Sequence, residues 1–131
     1  MKNEIIIIIC LLCIVNISIA GDIELLADII DRNVKDQETK VFLIDTFIEN
    51  TIEYEYHYHP KSITTTWRTK KGDCTDKTLI KYYLLKRMEI PVRLVHGYLW
   101  DEKHDFYLFK DNNNTWTSFE PYVTQVGYGV W

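Results

Sequence analysis

The first part of the chain after residue 20 has apolar residues at helical spacing. One group predicts a short helix over residues 22–33: Ile23, Leu25, Leu26, Ile29 and Ile30. A second group predicts a longer helix over residues 39–54: Val41, Ile44, Phe47, Ile48 and Ile52. The run of residues 54–59 is either the frayed end of this helix or an extended segment, because Pro60 stops it. We expect these helices to flank the core rather than to supply chemistry.

The pattern continues in a third helix, predicted over residues 75–88. Its apolar positions recur once per turn and define one stripe that we expect to be buried: Leu79, Ile80, Tyr83, Leu84 and Met88. Asp73 is a favourable N-cap, and Asp76, three residues later, makes the pair a variant of the capping box. The helix must end by Ile90, because Pro91 disfavours helical geometry in the residue before it.

The other segments are rich in β-branched and aromatic residues, which favour strands. Four such segments occur along the chain: residues 63–67, 92–100, 104–109 and 115–119. Turn-forming residues separate the last three, at residues 101–103 and 111–114. The second half of the chain therefore predicts three strands joined by short turns.

The turn at residues 111–114 sets the register between the strands beside it. If the loop comprises residues 111–113, Lys110 pairs with Asn114 and His104 lies opposite Glu120. The two side chains then share one face of the sheet, with Cβ atoms about 5 Å apart. A carboxylate beside an imidazole fixes its tautomer and stabilises the imidazolium. A four-residue loop would shift the register by one residue and break this pairing.

Residues 1–20 have the pattern of an export signal. Lys2 gives a short positive region, residues 5–15 are an uninterrupted apolar run, and Ser18-Ile19-Ala20 matches a cleavage site. We expect cleavage after Ala20, which leaves a single domain over residues 21–131, secreted or held in the cell envelope. The alternative is an uncleaved signal anchor, although the apolar run is short for a membrane-spanning helix of about 20 residues.

Composition and charge describe a small globular domain. The 131 residues are 47% apolar and 14% aromatic, which is typical of one folded domain. The net charge of −4 argues against nucleic acid as the main partner, and a membrane is expected only if the N-terminal segment stays uncleaved. Cys10 and Cys13 lie in the signal, so the exported domain retains one cysteine and forms no internal disulfide.

That one cysteine, Cys74, is the candidate nucleophile. It occupies the start of the third predicted helix, where free backbone N–H groups and the helix dipole stabilise a thiolate. Gly72 allows the sharp turn into the helix. Asp73 and Asp76 oppose ionisation, so a basic partner is still required. The alternative is a small buried residue without chemistry, but a lone thiol in an exported protein is a liability.

Histidines supply the candidate base. His104 is preferred, because Glu120 is predicted to face it. His96 ranks second, since it lies within a strand and the sequence places no carboxylate near it. His57 and His59 lack a cysteine or carboxylate at metal-ligand spacing, so we expect no metal and no other cofactor. These two are more consistent with residues that line an entrance or face solvent.

The segment from about Thr66 to Pro121 resembles the transglutaminase-like superfamily of papain-like thiol enzymes. The matching pieces follow one another along the chain: residues 71–77 with the helix after them, residues 89–98, His104, and Trp116 leading to Glu120-Pro121. The resemblance implies an α+β fold with a papain-like transglutaminase core. In it, N-terminal helices and a cysteine-bearing helix pack on a small antiparallel sheet that carries His104 and Glu120.

This sequence departs from the family pattern at three places. Glu89 replaces the glycine that usually precedes Ile-Pro, and Asp105-Phe106 follows the histidine where Ala-Trp is common. Glu120 replaces the usual aspartate, and the added methylene moves the carboxylate by more than an ångström. A glutamate can still orient a histidine, so we expect the triad to be active.

The resemblance implies acyl transfer through a Cys74–His104–Glu120 triad. Cys74 would attack an amide carbonyl, His104 would transfer the proton, and Glu120 would hold the imidazole. Trp67 is a candidate oxyanion donor beside the backbone N–H of Cys74, with a core position as its alternative. Hydrolysis of a peptide or isopeptide bond, a cell-wall peptide among the candidates, is favoured over cross-linking by an amine. The alternative function is a weak or inactive domain that binds cell-envelope peptides.

Overall fold

The structure is a computed structural model that describes residues 23–59, 61–99, 102–120 and 129–130. The predicted export signal and its cleavage site lie outside the described residues. Two helices open the fold, α1 (Ile23–Asn33) and α2 (Gln37–Thr51), as the apolar spacing predicts. Within the described part of the chain, no helix has both the length and the apolar composition needed to cross a membrane.

Helix α2 begins two residues earlier than predicted and ends three residues earlier. Asp36 is its N-cap, and the carboxylate of Asp36 accepts a hydrogen bond from the backbone N–H of Thr39. The predicted apolar face is confirmed, since all its members are buried: Val41, Ile44, Phe47, Ile48 and Ile52. Strand β1 (Glu53–Tyr54) follows the helix, so the segment after it is extended, one of the two predicted alternatives.

The strand predicted at residues 63–67 is wrong, because this segment forms helix α3 (Ile63–Thr69). Its run of β-branched residues favours a strand locally, but Ser62 caps the helix by accepting a hydrogen bond from the backbone N–H of Thr65. The helix also buries Trp67 against the ring of Phe47, with centroids 6.1 Å apart. Capping and tertiary packing therefore outweigh intrinsic propensity here.

The cysteine-bearing helix, α4 (Cys74–Arg87), begins as predicted, and both hydrogen bonds of the capping box between Asp73 and Asp76 are present. Strand β2 (Lys71–Gly72) precedes it and pairs in parallel with β1. Gly72 is required by space: a Cβ atom there would lie 2.7 Å from the Cβ of Asp76. The predicted buried stripe is wrong at Tyr83, which is 36% exposed.

The end of α4 explains one departure from the family pattern. Glu89 has a φ of 58°, a left-handed conformation that favours glycine. Replacing the usual glycine by Glu89 therefore introduces local backbone strain on the order of 1 kcal/mol. Ile90 follows with its backbone N–H donating to the carbonyl of Leu85, which closes the helix before Pro91.

A four-stranded sheet completes the α+β fold. Its strands are β3 (Val92–Leu99), β4 (Glu102–Lys110), β5 (Trp116–Thr117) and β6 (Gly129–Val130), in the order β5-β4-β3-β6. Strands β3 and β4 form an antiparallel hairpin in which Val92 pairs with Phe109. The main core lies between the helices and one face of this hairpin, and it includes Leu26, Ile44, Leu84 and Phe109. The predicted architecture is confirmed.

The predicted register between β4 and β5 is wrong by two residues. Lys110 pairs with Trp116, not with Asn114, because the loop takes up residues 111–115. The carboxylate of Asp111 accepts hydrogen bonds from the backbone N–H groups of Asn113 and Thr115 and thereby stabilises the longer loop. A shift of two residues, unlike a shift of one, leaves each side chain on its predicted face.

Candidate active site

The site begins at the first residue of α4. Cys74 is half-buried there, and it is the free cysteine of the described chain. Its side chain is hydrogen-bonded to the imidazole of His104 and to the backbone N–H of Asp105, both on β4. Helix α4 thus places the sulfur, and strand β4 places the two groups that meet it.

A carboxylate completes the arrangement on the other side of the imidazole. The Nε2 atom of His104 makes a short hydrogen bond with the Oε2 atom of Glu120. This leaves Nδ1 as the nitrogen available to the sulfur of Cys74. The imidazole ring is also stacked on Phe106, with an angle of 9° between the ring planes. Sulfur, imidazole and carboxylate therefore form one continuous chain of contacts.

The electrostatics of this chain favour an ion pair. The hydrogen bond from His104 lowers the pKa of the Cys74 thiol, burial opposes it, and the backbone N–H of Asp105 lowers the pKa further. The hydrogen bonds to Cys74 and Glu120 raise the pKa of His104 to about 10. Between these two values the cysteine is a thiolate and the histidine an imidazolium, which is the reactive state of a thiol nucleophile.

Glu120 reaches His104 by a route that differs from the prediction. In the observed register, continuing the β4–β5 pairing would place Glu120 opposite Phe106 rather than His104. Strand β5 ends at Thr117, and the backbone N–H of Glu120 donates to the hydroxyl of Ser118. The predicted contact between carboxylate and imidazole is therefore present, although the register from which it was deduced is not.

The triad opens into a cavity of about 440 Å³. Helix α2, strand β1, helix α4, strand β4 and the segment after β5 all contribute to its wall. Its charged and aromatic lining residues are Asp45, Glu49, Tyr54, Lys77, Lys81, Lys103, Asp105 and Phe119, next to the three triad residues. A wall with both signs of charge and exposed aromatic rings suits a polar chain such as a peptide.

One feature of this cavity was not anticipated from the sequence. Lys81 is only 3% exposed, although it belongs to the predicted solvent-facing side of α4. Its ammonium group lies 2.9 Å from Asp45 and 2.7 Å from Glu49, both on α2. Burial lowers the pKa of Lys81, but these two carboxylates outweigh burial and raise it overall. The sequence signal was present, since Asp45 and Glu49 are spaced to share one helical face.

Trp67 does not line this cavity. Its ring lies in the core beside Phe47, and the ammonium group of Lys70 lies 3.0 Å from the ring centroid. Its indole N–H is buried without a hydrogen-bond partner among the described residues. The structure thus places Trp67 apart from the three triad residues, in the core position that was the alternative to an oxyanion donor.

His96 has a carboxylate partner that the sequence did not reveal. It pairs across the hairpin with Asp105, and its Nδ1 atom lies 2.5 Å from the Oδ1 atom of that carboxylate. The imidazole side chain is 56% exposed. Antiparallel pairing brings the two residues together although nine positions separate them, so the expectation that no carboxylate lies near His96 is wrong.

His57 also acquires carboxylates through the fold. Its Nε2 atom contacts Asp76 closely and lies 3.7 Å from Asp73. The hydrogen bond to Asp76 raises the pKa of His57. These three residues are also the group within the described ranges whose ligand atoms, all within 4.8 Å of one another, are close enough to share a cation. The positive end of α4 and a proton on His57 already balance the two carboxylates.

Solved structures similar to this fold include two bacterial proteins described as predicted proteases. The chain superposes on a predicted cysteine protease from Cytophaga hutchinsonii with a TM-score of 0.66 and 21% identity, over 79% of its own length and 38% of the other chain. For a predicted protease from Parabacteroides distasonis the TM-score is 0.63 at 14% identity, over 76% and 23% of the two chains.

A third similar structure comes from a periplasmic domain. It is that of TgpA from Pseudomonas aeruginosa, with a TM-score of 0.63 and 16% identity, covering 77% of this chain and 42% of that domain. The chain therefore spans less than half the length of each of these structures. A sequence search of curated proteins finds no significant match.

The family model of the transglutaminase-like superfamily matches residues 24–125. The match includes the cysteine helix, the hairpin with His104, and Glu120, which are the parts that meet at the cavity. It covers most of the chain, and the α+β fold agrees with it. This chain belongs to the transglutaminase-like superfamily.

Proposed function

We propose that this protein is an exported thiol hydrolase that cleaves peptide or isopeptide amide bonds. The observation that supports this most strongly is the chain of contacts from Cys74 through His104 to Glu120, open to a single cavity. Membership of the superfamily supports a thiol enzyme, and two of the similar structures are described as predicted proteases.

In the proposed reaction the thiolate of Cys74 attacks the carbonyl carbon of the amide. The free backbone N–H of Cys74, at the first position of α4, donates to the oxyanion that forms. The imidazolium of His104 gives its proton to the leaving amine, and the C–N bond breaks to leave a thioester. His104 then removes a proton from water, which attacks the thioester and releases the acid. Glu120 holds the imidazole throughout.

Water is proposed as the acceptor in preference to an amine. An amine that competes with water needs an apolar, enclosed acceptor site, whereas this cavity is lined by several charged side chains. The test is turnover of a glutamine-containing peptide in the presence of hydroxylamine. We expect free acid to exceed hydroxamate in the products, and a predominance of hydroxamate would show that the protein is an acyl transferase instead.

Export is part of the proposal. It is supported by the pattern of residues 1–20 and by the periplasmic origin of one similar domain. Mass spectrometry of the protein recovered from a cell that exports it tests both alternatives. A new N-terminus at Gly21 is the expected result, and an intact N-terminus in the membrane fraction would favour the anchor.

The central test is the reactivity of Cys74 toward iodoacetamide across pH. An ordinary thiol is only about 0.3% ionised at pH 6, so it reacts slowly there. We expect the wild type to react more than tenfold faster than that, and His104→Ala to return to ordinary thiol behaviour. His59→Ala is the matched control and is expected to behave like the wild type. Ordinary thiol titration in the wild type would contradict the proposal.

The second candidate function is a peptide-binding domain without turnover. Glu120 favours it, because a glutamate takes the place of the usual aspartate and is 40% exposed. The two functions separate in one comparison: a binding domain retains peptide whether or not Cys74 is reactive, and it releases no product. An ion-pair profile of Cys74 together with product release supports the hydrolase.

A further inference from the structure

The carboxylate of Asp105 has no role in the triad, yet groups from two other elements converge on it. Its Oδ1 atom lies 2.5 Å from Nδ1 of His96 on β3, and its Oδ2 atom accepts a hydrogen bond from the hydroxyl of Thr75 on α4. Its backbone carbonyl accepts from the hydroxyl of Thr78, at 3.0 Å, and its backbone N–H donates to the sulfur of Cys74. The Asp105 side chain is 15% exposed.

The position of Asp105 on the strand explains why its backbone is available to the helix. Among the described residues, β5 pairs with β4 through Phe109 and Lys110, so the ladder ends before Asp105. In an antiparallel sheet, an unpaired edge leaves backbone N–H and C=O groups that need other partners. Side chains of Cys74 and Thr78 take these groups, so the first turns of α4 replace a neighbouring strand.

We propose that Asp105 is a positioning residue whose carboxylate fixes the first turn of α4 against β4. Through Thr75, it holds the Cys74 sulfur at the backbone N–H of Asp105 and beside the imidazole of His104. The inference rests on the proposed function, since it concerns the geometry of the same thiol. His96 binds the other carboxylate oxygen and so fixes the orientation of the carboxyl plane.

This arrangement has an electrostatic cost that makes a purely structural explanation testable. The negative charge of Asp105 raises the pKa of the Cys74 thiol, while the hydrogen bond from His104 lowers it and dominates. The carboxylate therefore favours the thiolate by position and disfavours it by charge. The other charged groups around the same cavity are Asp45, Glu49, Lys77, Lys81, Lys103 and Glu120, and none of these changes in the test below.

The test compares iodoacetamide alkylation across pH in four variants of the full chain. Asp105→Ala and Thr75→Val each remove the hydrogen bond, and we expect alkylation of Cys74 at pH 6.5 to slow about tenfold, which corresponds to one unit of thiol pKa. Asp105→Asn and Thr75→Ser keep a hydrogen-bonding oxygen. Thr75→Ser is expected to match the wild type, and Asp105→Asn to react at equal or lower pH because the charge is gone.

Asp31→Ala is the matched control, because it removes an exposed carboxylate paired with Lys40 on the far helices. Its alkylation profile is expected to be that of the wild type. The inference is overturned if Asp105→Ala and Asp105→Asn shift the profile in the same direction, or if Thr75→Val reacts like Thr75→Ser. Should Asp105→Ala fail to fold by circular dichroism, the two Thr75 variants decide.

The outcomes also separate this inference from the proposed function. Ordinary thiol titration in the wild type would remove the proposed function and with it the need for a positioning residue. Rapid alkylation in the wild type, unchanged in Asp105→Ala and Thr75→Val, would leave the proposed function intact and overturn the role of Asp105.

Discussion

At the scale of single residues, the glutamate at position 120 is explained by the distance it must span. In the observed register the position opposite His104 is two residues further along the chain than Glu120. Glu120 thus approaches His104 diagonally, and diagonal neighbours in a sheet are about 7–8 Å apart. The additional methylene of glutamate suits this longer approach, whereas the aspartate usual in the family suits a direct one.

This geometry predicts that Glu120→Asp lowers activity, although aspartate is the usual family residue. The shorter side chain no longer reaches Nε2 of His104, so the pKa of His104 falls from its value of about 10. The upper limit of the ion-pair window then moves to lower pH, and we expect kcat/KM at pH 8.5 to fall about tenfold. The pH profile of kcat/KM on a peptide amide measures this.

Glu38→Asp is the matched control for that substitution, because Glu38 lies in the first turn of α2 and does not line the cavity. It is expected to leave the profile unchanged. Equal or higher activity of Glu120→Asp at pH 8.5 would show that the diagonal approach does not require the longer side chain.

At the scale of elements, the capping of two helices makes it possible to separate stability from reactivity. Helices α2 and α4 both begin with an aspartate whose carboxylate accepts a hydrogen bond from the third residue of the helix, Asp36 and Asp73 respectively. The two caps are chemically alike, but α4 alone begins with the thiol. Loss of either cap therefore costs similar stability, with different consequences for the site.

We expect Asp73→Ala and Asp36→Ala each to lower the free energy of unfolding by about 1 kcal/mol. Only Asp73→Ala should also change the alkylation profile of Cys74, because it loosens the turn that presents the sulfur. Urea unfolding and iodoacetamide labelling of the two variants measure both effects. A changed thiol profile in Asp36→Ala would mean that reactivity follows global stability rather than the local cap.

At the scale of the whole molecule, a buried ion cluster joins the three layers beneath the cavity. Lys81 on α4 pairs with Asp45 and Glu49 on α2, and the hydroxyl of Tyr107 on β4 donates to Asp45 at 2.6 Å. Burial raises the pKa of Tyr107, so the tyrosine stays neutral and acts as a donor. The cluster holds α2 and β4 at fixed positions relative to the cysteine helix.

This cluster predicts a large difference between two lysines that share a partner. Lys81→Met leaves Asp45 without its buried counter-charge and should destabilise the fold by about 2 kcal/mol, a value reduced because Glu49 is half-exposed. Lys77→Met removes a partly exposed pair with Glu49 and should cost less than about 1 kcal/mol. Urea unfolding at pH 7 compares them, and equal costs would contradict the assigned role of Lys81.

The sequence by itself determined the features that depend on neighbouring residues. The start of α4 at Cys74 follows from Asp73 and Asp76, which satisfy backbone N–H groups three residues away. Helices α1 and α2 follow from their apolar spacing, and the β3–β4 hairpin from its composition and short turn. Local hydrogen bonds and periodic burial are written in consecutive residues, so a pattern suffices to predict them.

Only the tertiary structure decided the features that depend on distant partners. Helix α3 forms where strand propensity is high, because packing of Trp67 on α2 outweighs that propensity. The Lys81 cluster and the contact of His57 with Asp76 join segments that are far apart in the chain. Side chains of one element acquire their burial and charge partners from another, and no single stretch of sequence contains that information.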